Sequence, residues 1–135
     1  MRYGLLALFL LTFAPAAVET LDGRRAVIID GDTVAFGRER VRIMNIDAPE
    51  TRGARCEREL ILGLRAKERL AMLLRVGPIE IERHGVNAYG RTLALLDVHG
   101  LDVGQMLIRE GLALPWQRGK EARDERVRYW CAESG

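Results

Sequence analysis

Three short stretches of this 135-residue chain carry side chains able to do chemistry together. The first is Asp30-Gly31-Asp32-Thr33, two carboxylates separated by one glycine. The second runs from Arg40-Val41-Arg42 to Asp47-Ala48-Pro49-Glu50: two carboxylates flank a proline that stiffens the chain, and a guanidinium lies one strand length upstream. The third, Tyr89-Gly90-Arg91, is a glycine-hinged loop presenting an aromatic ring and another guanidinium. Each stretch has a plain reading when taken singly. Asp and Gly are ordinary turn residues, the second stretch could be an amphipathic strand ending in an acidic turn, and the third a hairpin loop with a solvated arginine. Their sum is more specific. Carboxylate oxygens on neighbouring turns suit a hard cation, and two guanidiniums can hold a phosphate beside it. A cation, a carboxylate able to act on water and two fixed positive charges are the components of metal-assisted phosphodiester hydrolysis.

These groups meet only if the backbone folds three distant stretches into one place. Residues 24–46 read as strands: Val27, Ile28 and Ile29, then Thr33 to Phe36, a turn at Gly37-Arg38, and a third strand marked by Val41, Ile43 and Ile46. Pro49 lacks an N–H and cannot continue that strand. Residues 57–75 are helical, with Leu62, Ala66, Leu70 and Leu73 at helical spacing and a stop at Gly77-Pro78. Residues 79–83 and 93–98 read as a strand pair flanking a polar loop, followed by a turn at His99-Gly100. Asp102 with Gln105 resembles a capping box for a short helix that Gly111 closes, and a last helix is predicted from about Gly119 to Trp130. Trp130 and Tyr129 read as core anchors, Met106, Leu107 and Leu112 as packing, and His84 as a loop residue. The order predicts an α+β domain, mainly β: a five-stranded Greek-key barrel of the OB type with about three helices.

Length argues for one domain, and a chain that is 48% hydrophobic and 30% charged is neither disordered nor a multi-span membrane protein. A net charge of +2 is weak evidence for any partner; the cations are nearly all arginine, with lysine only at Lys67 and Lys120. At the N-terminus Arg2 precedes an apolar run and then Pro15-Ala16-Ala17. That pattern predicts a secretory signal peptide over residues 1–17, cleaved near Ala16 or Ala17, with the functional domain over 18–135. Cys56 and Cys131 suit an oxidising compartment, where an even pair reads first as a disulfide; two unpaired core thiols are the alternative.

Taken in order, Val-Ile-Ile-Asp-Gly-Asp-Thr-Val (27–34), Arg-Val-Arg-Ile-Met-Asn-Ile-Asp-Ala-Pro-Glu-Thr (40–51), Tyr-Gly-Arg-Thr-Leu-Ala (89–94) and Leu-Ile-Arg-Glu-Gly-Leu-Ala (107–113) resemble the staphylococcal nuclease (thermonuclease) family. The resemblance runs from about residue 25 to the C-terminus. It implies an OB barrel and calcium-dependent cleavage of DNA and RNA, preferentially single-stranded, leaving 3′-phosphate ends. It implies Asp32 and Asp47 as calcium-ligating carboxylates, with the backbone carbonyl of Ala48 beside them and Asp30 behind. Glu50 matches the residue that activates or orients water, Arg42 and Arg91 the pair bridging the scissile phosphate, and Tyr89 the aromatic beside the nucleotide. The Cys56–Cys131 pair resembles an arrangement of secreted bacterial relatives. Asn87 stands where an acidic residue precedes the Tyr-Gly-Arg loop, Ala88 where a lysine often assists, and Pro115-Trp116 in a more tyrosine-rich strand.

Two carboxylates are few for calcium, so the site should be weak without substrate and suit a secreted or periplasmic protein. The expected partners are DNA and RNA; no stable membrane anchor or protein partner is indicated, and a monomer is expected. The rival reading is a non-catalytic secreted OB module that binds nucleic acid or an envelope component.

Overall fold

A computed structural model describes residues 13–15 and 17–132, so most of the apolar leader expected over residues 1–17 lies outside the described residues. The first strand, β1 (Val18–Asp22), is followed by a 3-10 turn at Gly23–Arg25 and then by β2 (Val27–Asp30), β3 (Thr33–Phe36) and β4 (Glu39–Ile43). β-Branched and aromatic residues fill β2 and β3, as a pleated, half-buried surface prefers. The chain leaves this meander for the two-residue strand β5 (Ile46–Asp47), then enters the long helix α1 (Glu57–Arg75). β6 (Pro78–Val86), β7 (Thr92–Val98) and β8 (Leu101–Asp102) follow, then α2 (Val103–Arg109), β9 (Leu114–Pro115) and α3 (Lys120–Cys131).

One sheet takes the order β1-β6-β7-β4-β3-β2, with β8 pairing β7. β5 pairs antiparallel with β9 in a separate two-stranded sheet. The sequence-based expectation of a five-stranded barrel is corrected in both count and closure. β1 and β2 are the two ends of the path and do not pair, so the sheet is open. β1 aligns Val18 with Glu82 on β6 and adds an edge strand that the sequence reading did not contain. The single third strand expected through Val41, Ile43 and Ile46 is two strands. Met44 still bonds the carbonyl of Ala94, but the Asn45 carbonyl accepts from the Trp116 N–H, which draws the chain off to β9. The three helices stand near their expected ranges. His84 belongs to β6 and pairs with Glu82 rather than lying in a loop. Trp130 is buried as expected, whereas Tyr129 is exposed and packs edge-on against it.

α1 is amphipathic: Gly63, Ala66, Leu70, Leu73 and Leu74 are buried at spacings of three and four against Val34, Ile43, Ile79, Ile81 and Leu96 of the sheet. Two glycines fix its distance from the site. A Cβ on Gly63 would lie 2.8 Å from the carbonyl oxygens of both Pro49 and Glu50, and one on Gly31 would lie 2.7 Å from the Ala66 Cβ and 2.8 Å from that of Ala48. The helix therefore rests directly on the two acidic turns. α3 buries only Ala122 and Trp130 and is held by other means. Cys131 is disulfide-bonded to Cys56 at a Cα–Cα distance of 5.9 Å, and Arg58 donates to the carbonyls of Tyr129 (3.0 Å) and Trp130 (2.8 Å).

This bond closes a 75-residue separation, which in the chain-entropy account stabilises by about 4 kcal/mol. The double variant Cys56→Ser/Cys131→Ser is accordingly expected to lose about that much in guanidinium unfolding. A loss smaller than about 1 kcal/mol would mean that packing alone holds α3.

Candidate active site

Asp32 sits in the two-residue turn between β2 and β3, where an aspartate is ordinarily solvated, yet only 9% of its surface is exposed. Its partners explain the burial. Oδ2 accepts from the backbone N–H of Ala48 (3.0 Å) and lies 3.3 Å from Nη2 of Arg42, while the Thr33 hydroxyl donates to Oδ1 (2.9 Å). Arg42 lies opposite Thr33 on β4 and is buried between Val41 and Ile43, breaking the usual alternation. Nη1 donates to the carbonyls of Ile43 and, at 2.8 Å, of Ile46; Nη2 reaches Oδ1 of Asp47 at 3.2 Å. Every arm of this guanidinium that touches backbone or carboxylate is therefore fixed. The other oxygen of Asp47 is paired with Nε of Arg126, which comes from α3. Burial raises the Asp47 carboxyl above its ordinary value; Arg126 opposes that shift, Asp32 reinforces it and Arg42 opposes it.

Glu50 lies beyond Pro49, against α1. Its backbone N–H donates to Oε1 of Glu59 (3.3 Å), while Oε2 of Glu59 takes the N–H of Arg55 (2.7 Å). Glu59 is almost wholly buried and clamps the 50–55 loop to the first turn of α1. The residue as a whole is exposed at the lip of a cleft, but its carboxyl is partly withdrawn from water. That desolvation, and then the negative charges of Asp32, Asp30, Asp47 and Glu59, push its pKa above the ordinary value. Asp30 is engaged by the hydroxyl of Thr51 (2.5 Å), which ties the turn before β3 to the same loop.

The third stretch follows α1 and β6 in the chain. Oδ1 of Asn87 accepts from the N–H groups of Tyr89 (3.0 Å) and Arg91 (3.1 Å), and Gly90 takes a φ of 75° that closes the turn. A neutral amide thus shapes the loop that precedes Arg91. The guanidinium of Arg91 lies 5.4 Å from the centroid of the Tyr89 ring, and its buried Nε bonds nothing among the described residues. Tyr89 is 84% exposed.

Asp47, Ala48, Glu50, Tyr89 and Arg91 line one cleft of about 390 Å³ together with Arg55, Glu59, Arg123, Arg126 and Trp130. Asp32 and Arg42 stand behind Asp47 and Ala48, and Asp30 is one turn further back. A neighbouring hollow of about 400 Å³ shares Tyr89, Arg91 and Arg123 and is completed by Arg42, Met44, Asn87, Leu93 and Trp116. The cleft and the hollow together take Arg42, Asp47, Ala48, Glu50, Tyr89 and Arg91 into their walls, Asp32 is bonded to Ala48 and Arg42 behind them, and Arg40 is exposed and lines neither. Cys56 and Cys131 form the disulfide beside Glu59 and, being oxidised, do not make that trio a metal site.

Sequence reasoning missed Glu59, Arg123 and Arg126. Glu59 had a legible signal, an acid three residues after the Cys56 N-cap, whose Sγ accepts from the Glu59 N–H (3.3 Å). Arg126 had none, because nothing in a charged helix marks which guanidinium meets Asp47.

An open sheet wrapped by three helices, with its acidic and basic groups converging beside α1, is the frame of a known group of proteins. Residues 40–133 match the staphylococcal nuclease homologue family, and the chain belongs to it. It is 29% identical to a micrococcal nuclease of Shigella flexneri, the match covering 92% of this chain and 81% of the relative. It is 35% identical to the succinoglycan biosynthesis protein ExoI of Rhizobium meliloti (strain 1021), over 81% of this chain and 59% of that one, so it spans little more than half of that relative. Protein ParB of Escherichia coli is 30% identical over 90% of this chain and 73% of its own length. The domain is OB-like, of mixed α+β structure with the sheet predominant.

The residues present fit the hard divalent cation that the family implies. The donors are all oxygens, and the negative charges of Asp32, Asp30, Asp47 and Glu59 each disfavour the charge on Glu50. A cation relieves that repulsion.

Proposed function

We propose that this domain is a calcium-dependent phosphodiesterase that hydrolyses DNA and RNA, preferring single strands, and leaves 3′-phosphate ends. The observation that carries the reading is the uncommitted Nε of Arg91, which belongs to the same cleft as Asp47, Ala48 and Glu50. A buried donor without a partner costs free energy, which a turn of the Arg91 guanidinium onto an incoming phosphate oxygen would recover.

Asp32, Asp47 and the Ala48 carbonyl would hold calcium, which when bound polarises a phosphoryl oxygen. Arg42 is held by backbone carbonyls and carboxylates, so its remaining positive field is aimed rather than mobile. Arg91, placed by the Asn87 turn, binds the phosphate and neutralises the charge that builds on it. Glu50, with its raised carboxyl, orients the attacking water and takes its proton, and the 5′-oxygen leaves. Tyr89 and the half-exposed Trp116, which line the same hollow, offer ring faces for a nucleobase.

Two further readings accompany this one. The leader over residues 1–17 is removed near Ala16 or Ala17, and the chain works as a monomer in the periplasm or outside the cell. The disulfide supports that address, and among the described residues no helix is long and apolar enough to cross a membrane.

The test is degradation of single-stranded DNA by the purified domain with calcium and with a calcium chelator. Cleavage that needs calcium and leaves 3′-phosphate ends is the expected result. Absence of cleavage by folded protein at saturating calcium would reject the enzyme in favour of a binding module.

A further inference from the structure

α3 brings two arginines to the cleft that the proposed chemistry leaves unused. Arg123 and Arg126 are three residues apart on that helix and both line the cleft with Asp47, Glu50 and Arg91; Arg123 also borders the hollow beside Trp116. The two guanidiniums paired with Asp47 are held very differently. Arg42 is bound by the carbonyls of Ile43 and Ile46 and lies between Asp32 and Asp47. Among the described residues Arg126 pairs with the Asp47 carboxylate and, through Nη1, with the carbonyl of Gln117 at 3.1 Å, and with no other backbone or carboxylate group. It is the member of the pair that can leave without dismantling a buried network. With Oδ1 of Asp47 on Arg42 and Oδ2 on Arg126, a cation approaching that carboxylate must displace or share Arg126. A guanidinium pairs with phosphate as readily as with carboxylate.

Resting on the nuclease reading above, we propose that Arg126 is a further substrate-binding residue, parked on Asp47 in the free protein and transferred to a backbone phosphate of the nucleic acid when the metal takes that carboxylate. In the free protein Arg126 competes with calcium for Asp47. With a strand bound, the same charge neutralises a phosphate and the competition ends. Calcium and nucleic acid therefore strengthen each other through this residue, by the same factor in either direction.

Calorimetric titration of calcium tests this in the full chain as wild type, Arg126→Gln and Arg126→Lys, each alone and with a phosphorothioate oligothymidylate that resists cleavage. Without the strand, Arg126→Gln is expected to bind calcium about tenfold more tightly than wild type, and the strengthening caused by the strand should shrink by a similar factor. Arg126→Lys keeps a cation on Asp47 and should stay near wild type. Equal calcium affinity in wild type and Arg126→Gln would overturn the exchange while leaving the calcium site standing. Absence of calcium binding in all three would overturn both readings. The wild-type protein supplies a readout that needs no substitution: the Nε–H resonance of Arg126 should shift when calcium and the strand are added together. An unmoved resonance at saturation would also overturn the exchange.

Discussion

Glu50→Gln is expected to fold normally and to cleave single-stranded DNA more slowly by a factor of about 10²–10⁴. The amide keeps the size of the side chain and its place at the lip of the cleft but cannot take a proton from water. The loss should fall on kcat, because Glu50 binds no phosphate. Its effect on stability has the opposite sign. The Glu50 carboxyl is raised by desolvation and by Asp32, Asp30, Asp47 and Glu59, so ionising it in the folded state is unfavourable. A carboxylate with a raised folded pKa weakens the fold above that pKa, and the penalty fades as pH falls to the unfolded value. Without calcium, Glu50→Gln should therefore melt at the same temperature as wild type or slightly higher at neutral pH, with the difference closing near the ordinary glutamate pKa. Unchanged turnover would remove Glu50 from the chemistry, and a lower melting temperature at neutral pH would contradict the crowding argument.

Arg91 and Arg42 should respond to truncation in opposite ways. Arg91→Ala removes a guanidinium whose Nε has no partner among the described residues, so the fold loses little. The expected cost is a fall in kcat of about 10²–10³, with a smaller change in KM, because the charge matters most in the transition state. Arg42→Ala leaves the buried Asp32 without its cation and the half-buried Asp47 with Arg126 alone, and frees the carbonyls of Ile43 and Ile46. Breaking such a pair costs about 3–5 kcal/mol, so this variant should be largely unfolded or marginal in urea titration. Added calcium should restore part of its stability by supplying the missing charge. If Arg42→Ala were as stable as wild type, the buried network would not be what holds the turn of Asp32 in place. A purely uniform loss of affinity in Arg91→Ala would deny it a transition-state role.

How far the sequence disclosed this arrangement depended on the range of the signal. α1 and its stop at Gly77-Pro78 were legible because helical periodicity and the lack of a proline N–H are local. So was α2, whose Asp102 N-cap accepts from the Gln105 N–H at 2.7 Å. β1 was invisible because four exposed residues and one half-buried leucine acquire meaning only beside β6. The break between β4 and β5 was hidden because Ile46 stays in the core after the chain has changed sheets. Closure was overestimated for the same reason, because pairing between the end strands is a long-range fact. At the site, motif spacing brought forward the residues of the two acidic turns and the Arg91 loop. The contact of Arg126 with Asp47 joins positions that share no local pattern, and only the docking of α3 reveals it.

The parallel pairing of β4 with β7, which sets Arg42 beside Leu93 and Ile43 beside Ala94, is the seam along which the cleft is assembled. Asp32, Arg42, Asp47 and Glu50 all precede α1, whereas Tyr89 and Arg91 follow β6, so each half of the cleft belongs to a different section of polypeptide. Loop-closure entropy opposes so distant a pairing until the intervening helix and hairpin have formed. Neither section holds the full complement of charges alone. A chain still emerging during synthesis, or one clipped between α1 and β6 and then separated, holds only part of this charge set, and on the proposed nuclease reading it would be inert until the seam closes and α3 docks.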